Sequence, residues 1–396
     1  MPFSYLADEL KQRDADGLLR HRRMLESPQG ARVRVDGADL LSFCSNDYLG
    51  LANHPALIEA ACRGAQQFGV GAGASHLVTG HTLAHHQLEQ SLAAFFGMPA
   101  ALLFSTGYMA NLGVVTALLG RNDAIFADKL NHASLNDAAL LSRAHFKRYA
   151  HLDLAALEGQ LAASSARRKL VVSDAVFSMD GDLAPVPQLL ALCEKYDAWL
   201  LLDDAHGFGM LGQTGRGILE HFGMLLDLLT PHPSPLTSRI IYMATLGKAA
   251  GVSGAFVAGS QELIDGLVQN ARAYIYTTAM PPMLSVALQE SLRIIAAEDW
   301  RRERLAQLIA HLRDGLKMQR WQRMPSETPI QPLLIGSSKE AVAVSLALQQ
   351  KGILVPAIRP PTVPQGTARL RISLSAAHCK EDVEMLVDAL HLLERQ

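Results

Sequence analysis

The chain has 396 residues, of which 49% are hydrophobic and 19% are charged. A chain of this length and composition is able to bury a large core. Its 36 Lys and Arg against 38 Asp and Glu give a formal net charge of −2, which excludes a basic field for nucleic acid. No apolar run approaches the ~18 residues of a membrane helix, and the N-terminus has no signal-peptide core. The cysteines form no Cys-x-x-Cys pair. We therefore predict a cytoplasmic protein that binds neither nucleic acid nor membrane.

The first part of the chain predicts a helix, a hairpin and a second helix. Residues 1–25 form a charged amphipathic pattern typical of a helix. Alternating residues over 31–37 end in an Asp-Gly turn, as in a short hairpin. The next helix is expected from His54 to Gln67, with Pro55 in its first turn.

A glycine-rich segment, Phe68–Ser75, fits the dinucleotide-binding pattern through Gly69, Gly71 and Ala74. That fingerprint must leave a strand and open a helix, whereas the residues before this segment look helical. We therefore predict a flexible loop at the mouth of a ligand site instead of a dinucleotide site.

Three histidines follow this loop, His81, His85 and His86, and two of them could share a helix face. A zinc site needs three or four ligands, and neither a third ligand of known spacing nor a His-Glu-x-x-His motif is present. We predict ordinary helix histidines and no metal.

From about residue 100, short apolar runs alternate with helical stretches. Long connections between such runs predict crossover helices and a mostly parallel sheet, with a ligand site beyond the carboxyl ends of the strands. The predicted strands are 100–104, 123–126, 169–173, 199–202 and 240–243. After them, 226–239 reads as a proline-rich surface connection, and one long helix is expected from Pro282 to about Met318.

Polar residues follow each predicted strand. The Ser105-Thr-Gly107 turn opens a helix and can cradle a phosphate, although a simple helix cap is the commoner role. His132 can stack on a flat ring or shuttle a proton, or it can be structural. An aspartate in Asp203-Asp204 is costly to bury without a cation, and His206 follows it closely.

Lys248 lies among small residues directly after a buried strand. It can be an exposed lysine of a Gly/Ala loop or a nucleophilic amine with room for a flat ligand beside it. A phosphate cradle, a histidine, an aspartate and a lysine at successive strand ends are the groups that pyridoxal 5'-phosphate (PLP) requires.

Several motifs resemble the α-oxoamine synthase family of fold-type I PLP enzymes, and the match in which they stand covers nearly the whole chain. They are SNDYLGL (45–51), STGYMAN (105–111), NHASL (131–135), DAVFSMDGD (174–182), DDAHGFGMLG (203–212), TLGKAAGVSG (245–254), YIYTTAMPP (274–282) and IRPPTVPQGTARLRISLSAAH (358–378). The resemblance implies an α/β fold in which an N-terminal helix and hairpin segment (1–45) precedes a large domain (46–289) with a mostly parallel, seven-stranded sheet. A smaller α+β domain (290–396) follows.

The resemblance also implies roles around the cofactor. Lys248 is expected as the Schiff-base lysine, Asp203 at the ring nitrogen, and His206 and Ser178 at the phenolic oxygen. His132 is expected on the ring face, and Gly107, Tyr108 and Thr245 on the phosphate side. The expected catalytic residues are Lys248, His132, Asp203 and His206.

Substrate and partner positions follow from the same resemblance. Arg20, His132 and Thr362 match substrate contacts, and Asn46 and Arg371 match positions that recognise a carboxylate. Family members are homodimers with active sites at the interface, and Thr277 or Thr278 is expected to reach the neighbour's phosphate.

The implied reaction is a decarboxylating condensation of L-alanine with pimeloyl-CoA or a pimeloyl-carrier thioester. The Arg359–Pro364 segment favours this branch over glycine-using relatives such as 2-amino-3-ketobutyrate CoA ligase, which is the alternative. A non-catalytic partner subunit is a further alternative, against which the retained Lys248, Asp203 and His206 argue. The family's Gly-Gly-Ser loop differs here, with Ala74 in it, and His76 and His81 nearby are also unusual at a loop that borders the substrate entrance.

Overall fold

A computed structural model describes residues 3–225 and 237–395. The proline-rich connection predicted over 226–239 lies outside the described residues except for Thr237–Arg239, which form a 3-10 helix. Within the described ranges, no helix combines the length and the apolarity needed to cross a membrane.

By internal contacts, the chain divides into two compact units. The larger unit comprises Leu51–Ser178 and Leu183–Arg302, and the smaller unit comprises Met1–Gly50, Met179–Asp182 and Glu303–Gln396. This division by contacts does not test the domain boundaries predicted after residues 45 and 289, which stay a prediction.

Strands and helices account for most of the described residues. In chain order, the strands are β1 (Arg32–Val35), β2 (Ala38–Ser42), β3 (Ala100–Phe104), β4 (Ala124–Asp128), β5 (His145–Tyr149), β6 (Lys169–Asp174), β7 (Trp199–Asp203), β8 (Ile240–Thr245), β9 (Ala255–Gly259), β10 (Gln322–Arg323), β11 (Ile330–Gly336), β12 (Ile353–Leu354), β13 (Ala357–Ile358) and β14 (Ala368–Ser373). The helices are α1 (Ser4–Ala15), α2 (Pro55–Phe68), α3 (Leu83–Phe96), α4 (Gly107–Leu118), α5 (Ala133–Ser142), α6 (Leu154–Ala162), α7 (Val186–Lys195), α8 (Gly217–His221), α9 (Gln261–Asn270), α10 (Arg272–Ile275), α11 (Pro282–Ala297), α12 (Trp300–Gly315), α13 (Ser338–Gln350) and α14 (Lys380–Glu394).

The larger unit is built on a seven-stranded sheet in the order β3-β9-β8-β7-β6-β4-β5. Strands β4 to β8 pair in parallel, and β9 runs antiparallel to both of its neighbours, β3 and β8. This confirms the predicted mostly parallel sheet. The sequence prediction missed β9, a five-residue apolar run, and β5, an edge strand whose side chains are largely exposed and therefore carry little apolar pattern.

Helix α2 runs from Pro55 to Phe68, one residue later at each end than the predicted His54 to Gln67, and His54 caps it by accepting a hydrogen bond from the Ala56 N–H. The glycine-rich segment therefore follows a helix, which is the observation on which the argument against a dinucleotide fingerprint depends. A short π-helix, His76–Gly80, leads from this segment to α3.

Two helix predictions were too long. Helix α1 ends at Ala15, not near residue 25, because Gly17 takes a left-handed conformation with φ 65° and stops the helix. The single helix predicted from Pro282 is two helices, α11 and α12. Glu298 leaves the helical region, and the Arg302 guanidinium donates a 2.7 Å hydrogen bond to the terminal Ile295 carbonyl of α11.

The smaller unit contains the predicted hairpin and a second sheet. Strands β1 and β2 pair antiparallel around Asp36-Gly37, where both residues have positive φ, and β12 adds in parallel to β2. The second sheet has the order β10-β11-β14-β13 with antiparallel pairs. Helices α13 and α14 complete an α+β arrangement in this part of the chain.

Candidate active site

A cavity of about 190 Å³ opens beyond the carboxyl ends of the strands in the larger unit. Its wall comes from the segments that follow β3, β4, β6, β7 and β8, as expected for a parallel sheet. The residues that line it are Gly107, Tyr108, His132, Ser134, Asp174, Val176, Ser178, Asp203, Ala205, His206, Met243, Thr245 and Lys248. All eight residues predicted to bind the cofactor are therefore brought together.

The amine of Lys248 lies 2.8 Å from Nε2 of His206 within this cavity. Lys248 is half-buried in the bend after β8, and His206 is buried in the turn after β7. Strands β7 and β8 are adjacent and parallel, so the residues that follow them meet at the same edge of the sheet. The arrangement gives an amine with a hydrogen-bonding partner at the cavity wall.

Asp203 ends β7, and its carboxylate is fixed at both oxygens. One oxygen accepts a 2.7 Å hydrogen bond from Nδ2 of Asn111, and the other accepts from the Ala205 N–H at 3.0 Å. The same Asn111 amide donates to the Ser134 hydroxyl at 2.8 Å. The buried amide thus holds an acceptor in the cavity wall, which suits a cationic N–H ligand.

A second carboxyl, Asp174, lies beside Asp203 in register on β6. Burial first, and then the neighbouring Asp203, raise the pKa of Asp174 well above its usual value. The backbone N–H of His132 donates to both oxygens of Asp174, at 3.1 and 3.2 Å. Asp174 thereby positions the loop that carries His132.

The structure separates the two aspartates of the Asp203-Asp204 pair. Asp204 faces away from the cavity and accepts hydrogen bonds from the Tyr242 hydroxyl at 2.8 Å and the Ile218 N–H at 2.7 Å. Its neighbours are the protein's own donors, so Asp204 serves the core. Asp203 is the aspartate available to a ligand.

His132 caps helix α5 and exposes its ring at the cavity. Its Nδ1 lies 2.8 Å from the Ser134 hydroxyl and accepts from the Ser134 N–H. These contacts with Ser134 fix the plane of the His132 ring, and the ring itself is exposed. The geometry suits stacking on a flat ring.

The N-terminus of α4 forms another part of the wall. Thr106 caps it by accepting from the Met109 N–H at 3.1 Å, and the Tyr108 hydroxyl donates to Asp137. A Cβ placed on Gly107 would lie in ordinary van der Waals contact with Met243 and Thr245 at 3.8–3.9 Å. Both residues line the cavity, so a side chain at position 107 would take up part of its space. A helix N-terminus with such space is suited to an anion.

Thr245 lines the same end of the cavity. Its hydroxyl donates to the Gly254 carbonyl at 3.0 Å and accepts from the Gly247 N–H at 3.3 Å. The hydroxyl has one proton, so donation to a phosphate requires it to rotate away from Gly254.

The smaller unit carries the predicted substrate residues. Arg371 is buried on β14, and its Nη1 donates to the Asn46 side-chain oxygen at 3.2 Å and to the Ser373 hydroxyl at 2.8 Å. The structure thus brings Asn46 and Arg371 together. Arg20 and Thr362 are exposed and are not joined to this pair by a hydrogen bond between described residues.

Thr277 and Thr278 are not among the residues that line the cavity. Thr278 forms an isolated antiparallel bridge with Ser75, at the end of the glycine-rich segment. Their predicted contact with a neighbouring subunit stays a prediction.

Sequence reasoning missed three polar residues at the site, Asn111, Ser134 and Asp174. Each stands inside a motif that carried the family resemblance, so the motifs held the signal. Asn111 was hidden because an asparagine in a helix pattern reads as a surface residue, and only the fold brings it to Asp203, 92 positions later.

Comparisons with known proteins show what this chain is similar to. The family model described as aminotransferase class I and II matches residues 38–390. The 8-amino-7-oxononanoate synthase of Nitrosomonas eutropha is 64% identical over 98% of this chain and 98% of its own length, and that of Nitrosospira multiformis is 65% identical over 98% and 96%. A solved structure of SPT with a PLP internal aldimine matches with a TM-score of 0.91 and 28% identity, over 100% of this chain and 98% of the other.

Proposed function

The chain belongs to the class I and II aminotransferase family, among the 8-amino-7-oxononanoate synthases, and from this membership we propose its reaction. It condenses L-alanine with a pimeloyl thioester and releases CO2 and the thiol carrier, giving 8-amino-7-oxononanoate for biotin biosynthesis. The observation that carries the proposal is the cavity in which Lys248, His206 and Asp203 meet in a chain 64–65% identical to these synthases.

The cofactor is PLP, and the cavity fits it. An amine, a carboxylate acceptor and a helix N-terminus are the three groups that its aldehyde, its pyridine N–H and its phosphate require. The absence of a side chain at Gly107 leaves the phosphate end open. When bound, PLP supplies an electron sink that stabilises negative charge at the amino-acid Cα.

Lys248 moves the protons of the reaction. Its Nζ would anchor the cofactor until the amine of L-alanine replaces it there, and the freed lysine amine would then take the Cα proton and later return a proton to the product. His206, at 2.8 Å from Nζ, orients the amine. With Ser178, which also lines the cavity, it would hold the cofactor's phenolic oxygen.

Asp203 would hold the ring at its nitrogen, and His132 would hold it at the exposed face. The Asp203 carboxylate, fixed in place by Asn111, would accept from the pyridine N–H, and its charge would keep that nitrogen protonated. His132 would stack on the ring face and assist the acid–base steps there. The N–H groups of Gly107 and Tyr108, with the Thr245 hydroxyl, would bind the phosphate.

Substrate recognition is assigned to the smaller unit. The forked guanidinium of Arg371, held by Asn46, binds the L-alanine carboxylate. Arg20 and Thr362 contact the acyl substrate. Free cysteines at 44, 62, 193 and 379 suit a reducing compartment, and we place the enzyme in the cytoplasm.

The working form is proposed as a homodimer with the active site at the interface. Thr277 and Thr278 lie outside the cavity wall of their own subunit, which supports a role towards the neighbour's phosphate. Light scattering after size-exclusion chromatography tests the dimer, and a monomeric active enzyme would contradict it.

A crossed substrate panel tests the reaction. L-alanine, glycine and L-serine are each offered with pimeloyl-CoA, a pimeloyl-carrier thioester and acetyl-CoA, and CO2 and product are measured. We expect L-alanine with a pimeloyl thioester to give the highest kcat/KM. Best turnover of glycine with acetyl-CoA would overturn the proposal, as would a protein that takes up no PLP and yields no borohydride-fixed cofactor at Lys248.

A further inference from the structure

Three potential metal ligands meet at the start of helix α3, away from the cavity that contains Lys248. The ligand atoms of His81, His86 and Glu89 all lie within 4.8 Å of one another. His86 and Glu89 are three residues apart on the helix and project from one face, while His81 approaches from the loop before it. Within residues 3–225 and 237–395 this is the one such group of His, Cys, Asp or Glu side chains.

Glu89 is fixed with one oxygen committed and the other directed into the cluster. Its Oε1 accepts a 2.9 Å hydrogen bond from the Leu103 N–H on β3. Its Oε2 lies 3.8 Å from Nε2 of His81, and the side chain is only 12% exposed. A carboxylate held in this way offers a preorganised oxygen ligand.

His81 is oriented by a second histidine. Its Nδ1 lies 3.1 Å from Nδ1 of His76, whose ring stacks on Tyr274 at a centroid distance of 4.7 Å. Metal-binding histidines use one ring nitrogen for the ion and the other for such an outer partner. The Nε2 of His81 is therefore the nitrogen turned towards Glu89.

His86 supplies the third side chain, on the side where the cluster is open to solvent. It is exposed, and its ring nitrogens make no hydrogen bond with other described residues. A cavity of about 390 Å³ has His81, His86 and Glu89 in its wall, which leaves room for water ligands. His85 does not belong to the set, because its two nitrogens are taken by Thr82 and the Met280 carbonyl.

We propose that His81, His86 and Glu89 bind one divalent transition-metal ion, with Zn²⁺ the best match, and that water completes its coordination. Zn²⁺ accepts imidazole and carboxylate ligands at about 2.0–2.2 Å in tetrahedral geometry, so two ligand atoms on one ion lie about 3.3–3.6 Å apart. The ligand atoms of the three side chains lie within 4.8 Å of one another, and rotation of the exposed His86 side chain is the movement that brings them to the ion.

The role of the ion follows from what it connects. This cavity and the one that contains Lys248 share no wall residue, so the site is not part of the condensation chemistry. The ion ties the loop of His81 to helix α3 and strand β3, and it stabilises the folded chain because it binds the assembled ligands. This departs from the sequence-based expectation of no metal, in which Glu89 was not considered as the third ligand.

The test uses PLP-loaded protein without a polyhistidine tag, freed of metal by chelation. Calorimetric titration with ZnCl2 gives stoichiometry and affinity, and the visible absorption of added Co²⁺ reports its coordination. We expect one ion per chain. His86→Ala and Glu89→Gln are each expected to raise the Kd at least about ten-fold and to weaken the Co²⁺ bands.

His311→Ala is the matched control, because His311 pairs with Glu384 at 3.3 Å but has no second histidine ligand beside it among the described residues. Its Kd is expected to equal that of the wild type. Glu89→Gln keeps an oxygen for the Leu103 N–H, so its metal-free melting temperature separates loss of fold from loss of ligand. The proposed site is wrong if Zn²⁺ does not bind stoichiometrically or if all variants have the same Kd. It is also wrong if Zn²⁺ changes the absorption of bound PLP and its Kd is unaffected by Glu89→Gln.

Discussion

The Lys248 amine and the His206 imidazole lie 2.8 Å apart, at the ends of two adjacent parallel strands. The sheet therefore sets the distance between a base and its positioning partner. Because both residues follow strands buried in the core, their backbone positions are not able to move far without disturbing β7 or β8.

Removing the amine tests this relationship most directly. Lys248→Ala is expected to lower kcat by at least about three orders of magnitude, since positioned proton transfer contributes about 10²–10⁴-fold and the cofactor anchor is lost as well. Release of CO2 from L-alanine and pimeloyl-CoA is the measurement. Lys380→Ala, a change at an exposed lysine paired with Glu384, is expected to keep wild-type activity. A Lys248→Ala enzyme within ten-fold of wild type would remove the assigned role.

Asn111 acts through Asp203, so its substitution is expected to change the cofactor more than the fold. Asn111→Leu removes the 2.7 Å donor to the carboxylate. Hydrogen bonds to charged groups contribute about 1.5–3 kcal/mol, which corresponds to roughly a ten- to hundred-fold weaker PLP affinity. Titration of PLP by absorbance measures it, and the pH dependence of the bound-cofactor spectrum is expected to shift.

A purely structural Asn111 would lower the melting temperature and leave that pH dependence unchanged. Asn270→Leu provides the comparison, because Asn270 is near a helix end and donates only to the Gly266 carbonyl. It is expected to leave both PLP affinity and the spectrum at wild-type values.

The parts of the fold that sequence could predict are those with a local apolar signature. Strands β7 and β8 are buried on both faces and read as unbroken apolar runs, so the polar residues after them stand out. This is why the amino-acid pattern alone singles out the Asp203-Asp204 pair and Lys248, whereas the choice of Asp203 within the pair came from the family resemblance. Helix α1 shows the limit, because its charged pattern continued past the Gly17 stop.

The contacts that could not be predicted join residues far apart in the chain. Asn46 and Arg371 are 325 positions apart, and no periodicity links them. The same holds within the larger unit, where Leu103 fixes Glu89 through a backbone N–H that has no sequence signature. Pair geometry of this kind arises only when the strands are assembled.

A substitution at Arg371 tests whether recognition of the L-alanine carboxylate needs the forked guanidinium or only a positive charge. Arg371→Lys keeps the charge but loses the paired donors that a carboxylate accepts. We expect the KM for L-alanine to rise at least about ten-fold, the equivalent of one charged hydrogen bond, with the KM for pimeloyl-CoA little changed. Steady-state kinetics with each substrate varied in turn measure both values.

The matched variant is Arg293→Lys, at an exposed ion pair with Glu290 on α11. It is expected to leave both KM values unchanged. If Arg371→Lys raised the two KM values equally, a general disturbance of the smaller unit, instead of carboxylate recognition, would be the explanation.

Asp204 is expected to make stability depend on pH. Burial raises the pKa of its carboxyl to about 7 from an ordinary value of 3.8. Between these values the unfolded chain releases a proton that the folded chain still binds, so the free energy of unfolding falls as the pH rises from about 4 to about 7. Above the folded pKa this group causes no further change.

Asp204→Asn removes the titration while an amide oxygen is still able to accept from Tyr242 and the Ile218 N–H. At about 1.4 kcal/mol per pH unit, the variant is expected to gain about 2 kcal/mol or more over wild type between pH 5 and pH 8. Denaturant unfolding of the PLP-loaded proteins at both pH values measures this difference. Taking the difference between the free energies of unfolding of wild type and variant cancels the contributions of other groups, including Asp174. Asp265→Asn, at an exposed carboxylate on α9, is expected to retain the wild-type slope. Parallel pH profiles for wild type and Asp204→Asn would show that the carboxyl is already ionised in the folded core.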